Sequence, residues 1–177
     1  RSENIPIIAK KAEWANKWIE SSRPMCERLV AFACVEGIFF SGSFCAIYWI
    51  KERGILKGLC LSNDFISRDE GMHTDFAVLT HSLMLEKISP EAMISIVSEA
   101  VELETEFITE ALPCRLIGMN SIMMKEYIKF VANRLVKQFG YPEIYPNVNQ
   151  PFTFMDRIAL HSKSNFFEEK PSQYNKR

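Results

Sequence analysis

Leu29-Val30-Ala31-Phe32-Ala33-Cys34-Val35-Glu36-Gly37-Ile38-Phe39-Phe40-Ser41-Gly42-Ser43-Phe44-Cys45-Ala46-Ile47-Tyr48-Trp49-Ile50 carries a single charged side chain, Glu36. By length and hydropathy alone such a run would cross a membrane. Gly37, Ser41, Gly42 and Ser43 dilute it, and basic residues stand at both ends (Arg28; Lys51 and Arg53), so it gives no orientation signal. The run instead predicts one central helix over about 25–50, buried on all sides, with Gly37 and Gly42 permitting close packing or a local irregularity. A carboxylate in the middle of such a helix is costly unless it is paired, protonated or bound to a metal. No Lys or Arg lies within a turn of Glu36, so its partner must come from another element. Taken alone, the residue fits a protonated, hydrogen-bonded core Glu as well as it fits a ligand.

The next chemically loaded stretch is Arg68-Asp69-Glu70-Gly71-Met72-His73. Glu70 and His73 are three residues apart and share a helix face. They fall on the stripe Ile66, Glu70, His73, Ala77 and Met84, where apolar residues are expected. Two other readings stand beside a ligand pair. Ser67 and Glu70 match a capping box, which would put Glu70 at a helix start, and His73 could be a satisfied core histidine. The two stretches together say more. A carboxylate on one helix facing a Glu-x-x-His on the next is recognised as half of the two-metal site of ferritin-like helical bundles. There, carboxylate oxygens bridge and charge-balance two iron or manganese ions, and imidazole fills a terminal position.

Working outward, helices are expected over about 5–20, 25–50, 64–86, 90–112 and 116–139. Ile8, Ala12, Ala15, Trp18 and Ile19 recur at helical spacing in the first. Gly54 and Gly58 mark the connection before the third. Ser89 caps the fourth, with Pro90 at its first position, and Gly140 stops the fifth. The fifth carries an apolar stripe of Met119, Ile122, Met123, Val131 and Leu135. The fold class is all-α, about five helices over 1–140, followed by an irregular C-terminal tail, 141–177, that wraps on the surface.

Of 177 residues, 47% are apolar and the net charge is −1, which argues against a basic nucleic-acid surface. Five cysteines (Cys26, Cys34, Cys45, Cys60, Cys114) sit in apolar surroundings without a Cys-x-x-Cys, and read as buried free thiols of a reducing compartment. Arg1-Ser2-Glu3-Asn4 leads into an amphipathic stretch, so no N-terminal signal is expected. Glu99, Glu102, Glu106 and Glu110 form one stripe that reads as a solvated face. His81 and His161 have no acidic partner at helical spacing and read as structural.

Several longer motifs resemble one family. Val35-Glu36-Gly37-Ile38-Phe39-Phe40-Ser41-Gly42-Ser43-Phe44 and Ser62-Asn63-Asp64-Phe65-Ile66-Ser67-Arg68-Asp69-Glu70-Gly71-Met72-His73 are similar to the small, radical-generating subunit of class I ribonucleotide reductase, in its eukaryotic style. So are Thr109-Glu110-Ala111-Leu112-Pro113, Leu116-Ile117-Gly118-Met119-Asn120 and Asn165-Phe166-Phe167-Glu168. The resemblance covers nearly the whole chain. It implies an incomplete ferritin-like bundle in which Glu36, Glu70 and His73 are three of six metal ligands, all on the same iron, with Glu70 bridging to the other. It makes Phe40, Phe44 and Ile66 a closed apolar pocket around a tyrosyl radical. It places Asp69, Arg68 and Tyr174 on the radical-transfer path to a large subunit.

The resemblance also implies what lies elsewhere. The family's first half, with an Asp, a second Glu-x-x-His, another Glu-bearing helix, the radical tyrosine and a relay tryptophan, has no counterpart here, nor has its C-terminal docking peptide. The expected function is that of a ribonucleoside-diphosphate reductase small subunit, supplying deoxyribonucleotides for DNA replication. The expected cofactor is a di-iron centre, with at most one metal ion held by this chain, which alone would be inactive. A large-subunit partner, a homodimer of the full small subunit, a cytoplasmic location, and no nucleic-acid or membrane association complete the expectation. The alternatives are a non-catalytic paralogue or scaffold subunit, or another ferritin-like di-iron oxidase such as a desaturase.

Overall fold

A computed structural model describes residues 6–110 and 119–155. Six helices account for most of them: α1 (Pro6–Ile19), α2 (Met25–Gly37), α3 (Ser41–Glu52), α4 (Lys57–Leu83), α5 (Pro90–Glu110) and α6 (Ser121–Gln138). No strand occurs among the described residues. The fold is all-α and ferritin-like, with α2 at its centre in contact with α1, α4, α5 and α6.

The expected single helix over 25–50 is two. At the end of α2, the N–H groups of Ile38 and Phe39 both donate to the Cys34 carbonyl, at 2.8 and 3.1 Å. The second bond spans five residues and opens a wide turn. The Ile38 carbonyl then accepts both the N–H and the Oγ of Ser41, at 3.0 and 2.6 Å. The Gly42 N–H, which a continuous helix would give to Ile38, goes instead to the Glu104 carboxylate at 2.9 Å. The irregularity falls between Gly37 and Gly42, where the sequence permits one, and an outside acceptor takes the N–H that a continuous helix would bond internally. The stretch Met25–Glu52 is apolar and long enough to cross a membrane by composition, and more than half of its most apolar 18-residue window is buried inside the molecule.

The third expected helix starts earlier than its sequence suggests. Gly54 and Leu56 both take positive φ (69° and 51°), which reverses the chain, and α4 begins at Lys57 with Gly58 inside its first turn. Ser67 is therefore mid-helix and caps nothing. Its Oγ lies 2.6 Å from the Tyr48 hydroxyl and donates to the Asp64 carbonyl, which removes the capping-box reading of Glu70.

The expected apolar stripes hold in part: Trp18, Met119 and Leu135 are buried and Met123 and Val131 pack against the core, while Ile19 and Ile122 face outward. In α1 the buried residues are Ile7, Trp14 and Trp18, while Ile19 is exposed. The inward face is then Ile7-Lys11-Trp14-Trp18, spaced four, three and four. In α6 it is Met124, Tyr127, Ile128, Ala132, Leu135 and Val136 that are buried, and Ile122 is exposed. Ser89 Oγ accepts from the Ala92 N–H at 3.1 Å, as the Ser-Pro start of α5 suggests. Asn120 caps α6 by accepting from Ile122 and Met123, and Gly140 at φ 85° follows its end. Residues 141–152 are irregular yet well tied, and 153–155 turn helical, so the expected irregular tail is not irregular throughout. Asn133 bonds the backbone of Ile144 and Tyr145, the Tyr141 hydroxyl donates to the Ile88 carbonyl, and Phe152 and Phe154 are buried. Cys26, Cys34 and Cys60 are free thiols, and they and Cys45 are buried.

Candidate metal centre

Glu36 lies in the last turn of α2 and faces the middle of α4. There, the three-residue spacing puts Glu70 and His73 on the same side of one turn. His73 Nδ1 is 3.1 Å from Glu36 Oε2 and 3.0 Å from Glu70 Oε2. One donor atom from each residue lies within 4.8 Å of the others. The Thr74 hydroxyl donates to the Glu70 carbonyl and fixes the turn that carries the pair. The two carboxylate side chains are 15% and 17% exposed and the imidazole 53%, so the group opens to one side. The apolar run around Glu36 predicts burial on all sides, whereas the observed site is a rim between two helices.

The electrostatics follow from this placement. Partial burial, and then the neighbouring Glu70 carboxylate, push Glu36 up to about 7, against the pull of His73. Hydrogen bonds to Glu36 and Glu70 raise His73 above its ordinary range. Two carboxylates side by side repel unless a cation stands between them. Among the described residues, the His73 imidazole bonds both. Two hard oxygen donors and one imidazole nitrogen, converging within bonding reach of a single point, fit iron or manganese by donor chemistry.

The other expected site residues are more dispersed. Phe40 and Phe44 stack, with ring centroids 5.8 Å apart. Phe40 is 37% and Ile66 48% exposed, so within the described residues these three do not close a pocket. Phe44 packs against the core, and α4 separately exposes Phe65, Met72, Phe76, Leu79 and Leu83. Arg68 and Asp69 are exposed on α4, the Arg68 guanidinium lying over the Phe65 ring. Tyr174, Cys114 and His161 lie outside the described residues. His81 is buried, accepts from the Ile88 N–H through Nε2, and is held below its ordinary range by burial.

One buried ion pair has no obvious signature in the sequence. Glu104 is fully buried and accepts from Lys11 Nζ at 2.6 Å. Its trace is Lys11 on the apolar face of α1, four residues after Ile7 and three before Trp14. The acidic stripe of α5 is also less solvated than expected. Glu99 accepts from the Trp14 indole at 2.8 Å and Glu106 pairs with Lys10, whereas Glu102 and Glu110 are exposed.

A helical core with a Glu-Glu-His donor group where two helices meet defines the class: a ferritin-like bundle with a carboxylate–histidine metal-binding arrangement. The chain belongs to the ribonucleotide reductase small chain family, whose model matches residues 1–151. It is 54% identical over 174 residues to the ribonucleoside-diphosphate reductase small chain of Nicotiana tabacum, covering 98% of this chain and 53% of that protein. It is 55% identical to the ribonucleoside-diphosphate reductase small chain of Variola virus, covering 98% and 54%. Among solved structures it resembles the ribonucleotide reductase Rnr4 homodimer of Saccharomyces cerevisiae, at 37% identity and a TM-score of 0.80 over 98% of this chain and 52% of that one. The chain spans about half the length of these relatives.

Proposed function

We propose that this chain is the part of a ribonucleoside-diphosphate reductase small subunit that holds one iron of a di-iron centre. The convergence of Glu36, Glu70 and His73 within 4.8 Å carries the reading. A di-iron centre in this setting supplies dioxygen activation and the one-electron oxidation of a tyrosine, whose radical starts ribonucleotide reduction in a large subunit. Glu36, Glu70 and His73 would hold one metal ion, with Glu70 as the carboxylate that would also serve the second. The remaining ligands and the oxidised tyrosine come from residues outside these 177.

The other roles belong to the same proposal. Phe40, Phe44 and Ile66 form one wall of the dry pocket around the radical, and the open apolar face of α4 is where the rest of that pocket seats. Asp69 orients a ligand histidine by hydrogen bonding and Arg68 flanks it, so that the site and the transfer path share a proton network. Tyr174 relays the radical toward the large subunit. The 1–140 portion is the helical body and 141–177 the tail. The homodimer named for the yeast relative is proposed here for the full small subunit. Buried free thiols fit a cytoplasmic setting.

Anaerobic calorimetry with ferrous iron tests the site. The chain is expected to bind one ion, and Glu70→Ala to abolish the heat. Unchanged tight binding in Glu70→Ala would contradict the ligand assignment.

A further inference from the structure

The buried pair Lys11–Glu104 lies outside the metal group, yet it joins the wide turn that ends the Glu36 helix. Glu104 Oε1 accepts from the Gly42 N–H at 2.9 Å and Oε2 from Lys11 Nζ at 2.6 Å. Lys11 Nζ also donates to the Phe39 carbonyl at 2.7 Å. The ammonium lies 4.9 and 4.2 Å from the ring centroids of Phe39 and Phe107. Each polar contact of the pair beyond itself therefore falls on backbone of residues 39–42. A methyl group on Gly42 would stand 2.6 Å from Ile108 and 2.7 Å from Glu104 Oε1, so α3 approaches α5 there as closely as glycine allows.

The geometry of the turn gives the pair its purpose. A turn closed over five residues inserts one extra residue, which rotates everything beyond it by about 100° relative to a continuous helix. Glu36 stands two residues before Ile38, where the irregularity begins, and Phe40 and Phe44 stand at and after its end. A regular helix would return the Gly42 N–H to Ile38 and close the turn. The Glu104 carboxylate competes for that N–H, and Lys11 keeps the carboxylate in place while holding the freed Phe39 carbonyl.

We propose that Lys11 and Glu104 are positioning residues that hold the helix open at 38–40 and thereby fix the Glu36 carboxylate against His73. This rests on the reading of Glu36 as a metal ligand, and it adds residues from α1 and α5 to a site formed by α2 and α4.

Cobalt(II), followed by its visible absorption, is the probe on the full 177-residue chain. Lys11→Met is expected to weaken cobalt binding at least tenfold and to change the absorption envelope, as loss of a group that orients a ligand does. The double variant Lys11→Met with Glu104→Leu removes both charges and keeps the interior apolar, so it folds where a single change leaves a buried charge unpaired. It is expected to show the same loss. Amide hydrogen exchange across 38–44, without metal, is the second readout. At least tenfold slower exchange of the Gly42 amide in the double variant would report closure into a regular helix, and tenfold faster exchange would report a loosened turn. Either change supports the clamp.

Folded variants with cobalt affinity, spectrum and exchange all unchanged would overturn the proposal. Altered exchange with unchanged cobalt binding would also overturn it, since the turn would then not position Glu36. A wild-type chain that binds no cobalt would refute the metal reading itself. The clamp on the turn would then be judged by exchange alone, with unchanged exchange refuting it.

Discussion

The Glu36 carboxylate at the end of α2 and the His73 imidazole on α4 meet at 3.1 Å across thirty-seven residues of chain. The chain between them contains a broken helix, a reversal through two positive-φ residues and four turns of α4. The contact closes over all three.

The buried carboxylate of Glu104 makes stability depend on pH. Burial raises it from 4.5 to about 7 in the folded chain, despite Lys11 and the Gly42 N–H. The folded state therefore holds a proton that the unfolded chain releases near 4.5. Its contribution is fully present below about 4.5 and is lost as pH rises through about 7. Urea unfolding at pH 5 and pH 8 is expected to show a loss on the order of 3 kcal/mol. That loss should be smaller in Lys11→Met with Glu104→Leu, where the share from Glu36 and His73, both also raised, remains. An equal pH dependence in the double variant would assign it to other groups.

Core packing against α6 should be unforgiving. Ile128 has no exposed surface. Ile128→Ala is expected to lower unfolding stability by roughly 3 kcal/mol, from lost transfer energy and the cavity left behind. Ile122→Ala on the same helix removes an exposed side chain and should cost well under about 1 kcal/mol. Denaturant titrations of the two variants check the contrast.

The exposed face of α4 should behave as an interface without its cover. Phe76 is 64% and Leu83 77% exposed, in line with Phe65, Met72 and Leu79. Such a surface drives association in water. Phe76→Lys combined with Leu83→Lys is expected to leave the unfolding midpoint nearly unchanged while shifting sedimentation toward the monomer and reducing binding of an apolar dye. A lower midpoint without a change in association would mean that these side chains support the fold.

Much of the fold is written in local pattern. Ser89-Pro90, Gly140 and the long apolar run announce helices by capping, breaking and hydropathy, and the Glu70/His73 spacing puts two donors on one face. Gly37 and Gly42 mark where an irregularity is permitted, but the acceptor that takes the Gly42 N–H, Glu104, stands more than sixty residues away and leaves no trace in the local pattern. The α1 and α6 stripes are legible in part: Trp18, Met119 and Leu135 are inside as expected, while aromatic Trp14 and Tyr127 also take the inward face and aliphatic Ile19 and Ile122 stand outside. Phe40 and Ile66 stay exposed because a closed pocket needs a second wall, which local pattern does not encode.

Anomalous diffraction at the iron edge, on crystals of the chain soaked anaerobically in ferrous iron, tests the assignment most directly. A peak about 2 Å from His73 Nδ1 and from one oxygen each of Glu36 and Glu70 is the predicted result. No peak at this point, with iron bound elsewhere or not at all, would contradict the account.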